Sequence, residues 1–93
     1  MGRYSIDIEK MAKKQLADLY KLGNKADIKK VEVIIMELEE HPETGIGNPE
    51  QLKYELSGFW SRRINSKDRL VYKINELEVI VTLLSAKGHY FDR

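Results

Sequence analysis

The chain has 93 residues, with 16 Lys and Arg against 15 Asp and Glu, two His and no Cys. With 42% apolar and 33% charged residues it is expected to fold as one domain over 1–93 around one modest core. The lack of Cys excludes disulfides, thiolate nucleophiles and Cys-ligated zinc.

Tyr4–Ile8 alternates with period two and predicts a short strand. From Glu9 the period becomes helical, with Met11, Ala12, Leu16, Leu19 and Leu22 as the apolar stripe and Gly23 at the expected C′ position. Asn24 offers an N-cap to a second helix, Asp27 completes an imperfect capping box, and Ile28, Val31, Ile34, Ile35 and Leu38 form its stripe. Two helices joined this tightly predict an antiparallel hairpin. Asn48-Pro49-Glu50-Gln51 reads as a further helix start, with Asn as N-cap, Pro at N1 and Glu50 complementing the dipole. Phe59–Ile64, Arg69–Ile74 and Glu78–Leu84 read as three strands joined by short polar turns. The expected fold class is therefore α+β, in the order β-α-α-β-β-β, an antiparallel sheet packed on one face by a helical hairpin.

A net charge of +1 argues against a polyanion partner only if charge is evenly spread. It is not. Residues 53–73 hold Lys53, Arg62, Arg63, Lys67, Arg69 and Lys73 against Glu55 and Asp68, and a local field governs polyanion binding more than the total does. Period two puts Trp60, Arg62 and Ile64 on one side of their strand and Phe59, Ser61 and Arg63 on the other. In the next strand Arg69, Val71 and Lys73 oppose Leu70, Tyr72 and Ile74. One of these faces meets the helices, so arginines on the other stand over an open surface. Trp60 and Tyr72 are expected to pack rather than to stack on bases.

Familiar site templates are missing. There is no Gly-rich phosphate loop, no HExxH, and no metal-like spacing between His41 and His89. No metal or cofactor is expected. A Glu, several Arg and Lys, a His and a Tyr are the parts of a metal-independent ribonuclease: a base, cations for the phosphorane charge, and an acid for the leaving 5′-oxygen. No apolar run is long enough to span a bilayer, and Met1–Lys10 has no signal-peptide core, so a cytoplasmic, non-membrane protein is expected.

The stretch Pro49-Glu50-Gln51-Leu52-Lys53, then Leu56-Ser57-Gly58-Phe59-Trp60-Ser61-Arg62-Arg63-Ile64, then Arg69-Leu70-Val71-Tyr72 and the terminal His89-Tyr90, resembles the YoeB/Txe family of the RelE/ParE toxin–antitoxin superfamily. The resemblance covers roughly residues 41–90. It implies a RelE-like, microbial-ribonuclease-like fold and a type II toxin that enters the ribosomal A site and cuts mRNA without metal. In that reading Glu50 is the general base, Arg69 the transition-state cation, His89 the general acid, and Tyr90 positions substrate. Lys53, Arg63 and Arg62 are the phosphate-binding set. The implied partners are the ribosome with its mRNA and a cognate antitoxin whose acidic segment covers the site; homodimers also occur in the family. Ile46 and Asn48 stand where close relatives often carry Lys, which predicts a weaker phosphate grip from that loop. The rival readings are a non-catalytic RNA- or protein-binding module of the same fold and a gyrase-poisoning relative.

Overall fold

The computed structural model describes residues 3–86, the last four by their backbone. The order is β1 (Ser5–Ile8), α1 (Lys10–Leu22), α2 (Lys25–Leu38), β2 (Glu50–Gln51), a one-turn 3-10 helix (Tyr54–Leu56), β3 (Phe59–Arg63), β4 (Asp68–Asn75) and β5 (Glu78–Ala86). The strands form one five-stranded sheet in the order β1-β5-β4-β3-β2. The α+β class and the helical hairpin on one sheet face are as the sequence predicts. Pairing is antiparallel from β2 through β5. At the far edge β1 runs parallel to β5, with Ser5 opposite Glu78 and Ile8 opposite Val81, so the sheet is mixed. A parallel pair needs a long connection, and here everything between β1 and β5 supplies it.

The core lies between hairpin and sheet. Ala12 and Leu16 from α1 and Val31, Ile34 and Leu38 from α2 close on Ile64, Leu70, Tyr72, Val79 and Val81. Burying each larger side chain is worth about 1.5–3 kcal/mol, so these few residues carry most of the hydrophobic stabilisation. The α1 stripe is narrower than its periodicity suggests, since Met11 and Leu22 are exposed.

Asn24 caps α2 as expected, its Oδ1 accepting from the Asp27 N–H at 2.8 Å. Asp27 then accepts from Asn65 Nδ2 at 2.9 Å, tying the start of α2 to the β3–β4 turn. Gly23 does end α1, its N–H donating to the Leu19 carbonyl, but with φ −80° rather than a left-handed angle. Its lack of a side chain matters for space, because a Cβ there would stand 2.5 Å from the Leu19 oxygen. Opposite Val71 and Tyr72, β5 carries an extra residue, Thr82, whose hydroxyl donates to the Val71 carbonyl at 3.1 Å. Such a bulge increases local twist and re-aims the strand beyond it.

The helix start read at Asn48–Gln51 is corrected by the structure. Glu50 and Gln51 are extended and pair with Ser61 and Trp60 as an edge strand, and the Leu52 N–H continues the ladder to the Phe59 carbonyl at 2.8 Å. Asn48 has φ +52°, outside any helix start, so Pro49 fixes the entry to a strand instead.

Candidate functional site

The register of β3 on β4 decides which arginines face outward. Trp60 lies opposite Tyr72 and Arg62 opposite Leu70, on the side that joins the core with Ile64 and Ile74. The other side carries Phe59 opposite Lys73, Ser61 opposite Val71, and Arg63 opposite Arg69. Glu50, paired with Ser61, falls on this same face, which no helix or strand among the described residues covers, because directly paired residues share a face. Ser61 and Val71 form its buried floor.

Three of the predicted site residues are thereby brought together. Glu50 Oε1 stands 3.9 Å from Arg69 Nη1, with side-chain exposures of 52% and 24%. Arg63 is exposed and lies directly across from Arg69. Like charges in that position repel, and the adjacent Glu50 carboxylate offsets the pair. A phosphate would do so more fully. Lys53 is exposed two residues beyond β2, the residue from which the 3-10 turn springs. Glu50 owes its position to no helix terminus, so the dipole explanation falls with the helix. The carboxylate is fixed instead by the ladder to β3.

Arg62 is corrected from phosphate ligand to internal anchor. It is wholly buried on the helix side of β3. Its Nε donates to Tyr72 Oη at 3.3 Å. Nη1 donates to Glu37 Oε1 at 2.5 Å and to the Ile46 carbonyl at 3.3 Å. Nη2 donates to the carbonyls of His41 at 3.0 Å and Thr44 at 2.7 Å. A guanidinium has five N–H donors, and all five are used. None remains for a phosphate oxygen.

What this anchor holds is the loop that delivers Glu50. Glu37 Oε1 also accepts from the Ile46 N–H at 3.0 Å, and Tyr72 Oη donates to the Pro42 carbonyl at 2.6 Å. Residues 41–46 are thus tied to α2 and to the sheet floor before the chain turns into β2. Gly47 completes the turn at φ +82°, its carbonyl accepting from the Arg63 N–H at 2.6 Å. A Cβ at Gly47 would stand 2.8 Å from the Arg63 oxygen, so both the angle and the close approach require glycine. Burial pushes the Tyr72 hydroxyl pKa above its ordinary 10.0, partly countered by the Arg62 hydrogen bond and charge and reinforced by Glu43.

Sequence reasoning did not single out Glu37 or Gly47, nor Tyr72 as an anchor. The available signal was that Arg62 shares its strand face with Trp60 and Ile64, which places it inward if that face is covered. His89 and Tyr90, with Phe91-Asp92-Arg93, lie outside the described residues.

Residues 12–90 match the model of the YoeB-like toxins of bacterial type II toxin–antitoxin systems. A toxin YoeB from Synechocystis sp. is 41% identical over 71 residues, 76% of this chain and 80% of that protein. Among solved structures, the YoeB dimer from Staphylococcus aureus superposes with a TM-score of 0.77 at 31% identity, covering 95% of this chain and 99% of that one. The YoeB–YefM complex from the same organism gives 0.76 at 30% identity, over 89% and 95% of the respective chains. The matched span includes the edge strand, the arginine pair and the buried anchor alike, and this chain belongs to the YoeB-like toxin family of type II toxin–antitoxin systems.

Proposed function

We propose that this toxin is a ribosome-dependent endoribonuclease that cuts mRNA in the A site by metal-independent transesterification. The observation that carries the reading is the cross-strand cluster of Glu50, Arg63 and Arg69 on the sheet face opposite the helical hairpin, with Glu50 and Arg69 3.9 Å apart. Glu50 takes the proton from the 2′-hydroxyl of the nucleotide before the cut. The freed 2′-oxygen attacks the neighbouring phosphorus, the bond from phosphorus to the 5′-oxygen breaks, and a 2′,3′-cyclic phosphate and a 5′-hydroxyl result. Arg63 and Arg69 meet the negative charge that builds on the phosphorane, where fixed cations act most strongly. On family likeness His89 returns a proton to the leaving 5′-oxygen, its imidazole being suited to proton transfer near neutral pH. Tyr90 and Lys53 position the strand.

The partners follow from the same surface. A basic face with an exposed Arg63 suits ribosome-bound mRNA during cutting and an acidic antitoxin segment at rest. The Staphylococcus aureus relatives, described as a complex with YefM and as a dimer, support an antitoxin partner and a second copy of the chain. A toxin that acts on translating ribosomes would work in the cytoplasm. No helix among the described residues is long and apolar enough to cross a membrane.

Primer extension on mRNA bound to programmed ribosomes tests the function. Cuts confined to the A-site codon are expected from the purified toxin. Intact mRNA in the presence of folded toxin would sink the proposal, and DNA breaks made with gyrase in its place would point to the superfamily's other activity.

A further inference from the structure

The open face continues past the proposed cutting site toward the turn that closes the β2–β3 hairpin, and that end has chemistry the reaction leaves unused. Two residues along β3 from Ser61, about 7 Å at strand spacing, Phe59 lies opposite Lys73. The Lys73 ammonium sits over the Phe59 ring, 5.7 Å from its centre, so a cation and an aromatic share one spot on the face that carries Glu50. The chain between Leu52 and Phe59 folds back through the 3-10 turn, where Tyr54 is 91% exposed with φ +60°. A left-handed angle costs a non-glycine residue about 1–3 kcal/mol. Solvating a tyrosine almost completely recovers none of that. Four residues on, in the same connection, a Cβ at Gly58 would meet nothing within 4 Å. Lys53 adds a second cation next to Tyr54, against Glu55 on the same turn.

We propose that Tyr54, in the turn that closes the β2–β3 hairpin, and the Phe59–Lys73 pair at the same end of the sheet form a nucleotide subsite that holds the RNA residue next to the scissile phosphate, with its base stacked on the exposed Tyr54 ring and its phosphate on Lys73. Aromatic rings beside lysines along a basic track are what single-stranded RNA recognises: rings stack on bases of any identity and cations follow the backbone. The strand direction fits, because an RNA laid along β3 meets the Arg63–Arg69 pair, then Glu50, then Phe59–Lys73 in steps of about 7 Å. Charge complementarity selects RNA over an apolar partner for this patch. The subsite rests on the ribonuclease reading and adds to it a residue-level determinant of substrate grip.

The test is a double-mutant cycle between Tyr54 and an RNA base. Ribosomes are programmed with mRNAs carrying a single abasic nucleotide, moved one position at a time across and beside the A-site codon, and kcat/KM for cutting is measured. For the wild-type chain, one flanking position is expected to lose about tenfold when its base is removed. The Tyr54→Ala variant has already lost that factor, mainly in KM, and shows no further loss there; Tyr54→Phe restores it. Lys73→Ala is expected to make the salt dependence of KM shallower by about 0.7 in log–log slope. Equal sensitivity of wild type and Tyr54→Ala at every position overturns the subsite while leaving the cutting site standing. Failure of the wild type to cut any of the normal mRNAs overturns the ribonuclease reading and the subsite with it.

Discussion

Arg62 and Glu37 meet beneath the sheet, 2.5 Å apart with the guanidinium wholly buried, while the neighbouring Arg63 faces outward on the opposite side. One peptide bond separates an anchor from a candidate phosphate ligand. Breaking a buried pair by removing one partner typically costs about 3–5 kcal/mol, since the remaining charge keeps its burial and loses its partner. Arg62→Met would also strip three loop carbonyls of their donors. Urea unfolding should show a loss in that range, with Arg62→Lys recovering little, since an ammonium cannot reach five acceptors. Arg63→Met should unfold close to wild type. Equal stability of the two variants would contradict the anchor.

The buried phenol gives a pH signature. Burial raises the Tyr72 pKa above 10.0, so between the unfolded and folded values the native state holds a proton that the unfolded chain has released. Stability from this group is complete below about pH 10 and is lost as pH rises through the folded value. Absorbance at the phenolate band should show Tyr72 ionising at a higher pH in the folded chain than in the unfolded one. Tyr72→Phe removes this alkaline component and, having lost the bond to Pro42, starts from a lower stability at neutral pH. Tyr72 ionisation in the folded chain at or below the unfolded value would count against the burial argument.

Arg69 is fixed on a strand and only partly exposed, so its substitution tests chemistry rather than folding. Arg69→Ala is expected to lower kcat by about 10²–10³-fold, the usual loss for one transition-state donor, with the thermal midpoint little changed. Glu50→Gln should lower kcat as well. Cutting at wild-type rates by either folded variant would remove that residue from the site.

With Arg62 withdrawn, Arg63, Arg69 and Lys73 on one sheet face and the exposed Lys53 beyond β2 are left to meet RNA phosphates. Four contacts on a single strand predict a slope near −3 for log affinity against log salt. Titrating toxin against programmed ribosomes bearing an uncuttable mRNA measures it. A slope near zero would mean that the basic face does not bind the backbone.

Helix and strand identities were legible because their periods are long enough to read: the α2 stripe from Val31 to Leu38 and the β3–β4 alternation both appear where expected. Glu50 and Gln51 were not, since two residues have no period and Asn48-Pro49 imitates a helix start; their pairing to Ser61 and Trp60 is a long-range fact. Arg62 shows the other limit. Alternation sorts residues into faces, but only the packed hairpin decides which face is covered. The parallel seating of β1 on β5 likewise depends on partners some seventy residues apart.

The central claim is that the Glu50–Arg63–Arg69 face cuts RNA through the RNA's own 2′-hydroxyl. The most direct measurement uses ribosome-bound mRNA with one 2′-deoxy nucleotide on the 5′ side of the mapped cut. The account predicts that cutting stops at that position while the unmodified mRNA yields a 2′,3′-cyclic phosphate end. Undiminished cutting of the deoxy-substituted mRNA at the same bond would contradict it.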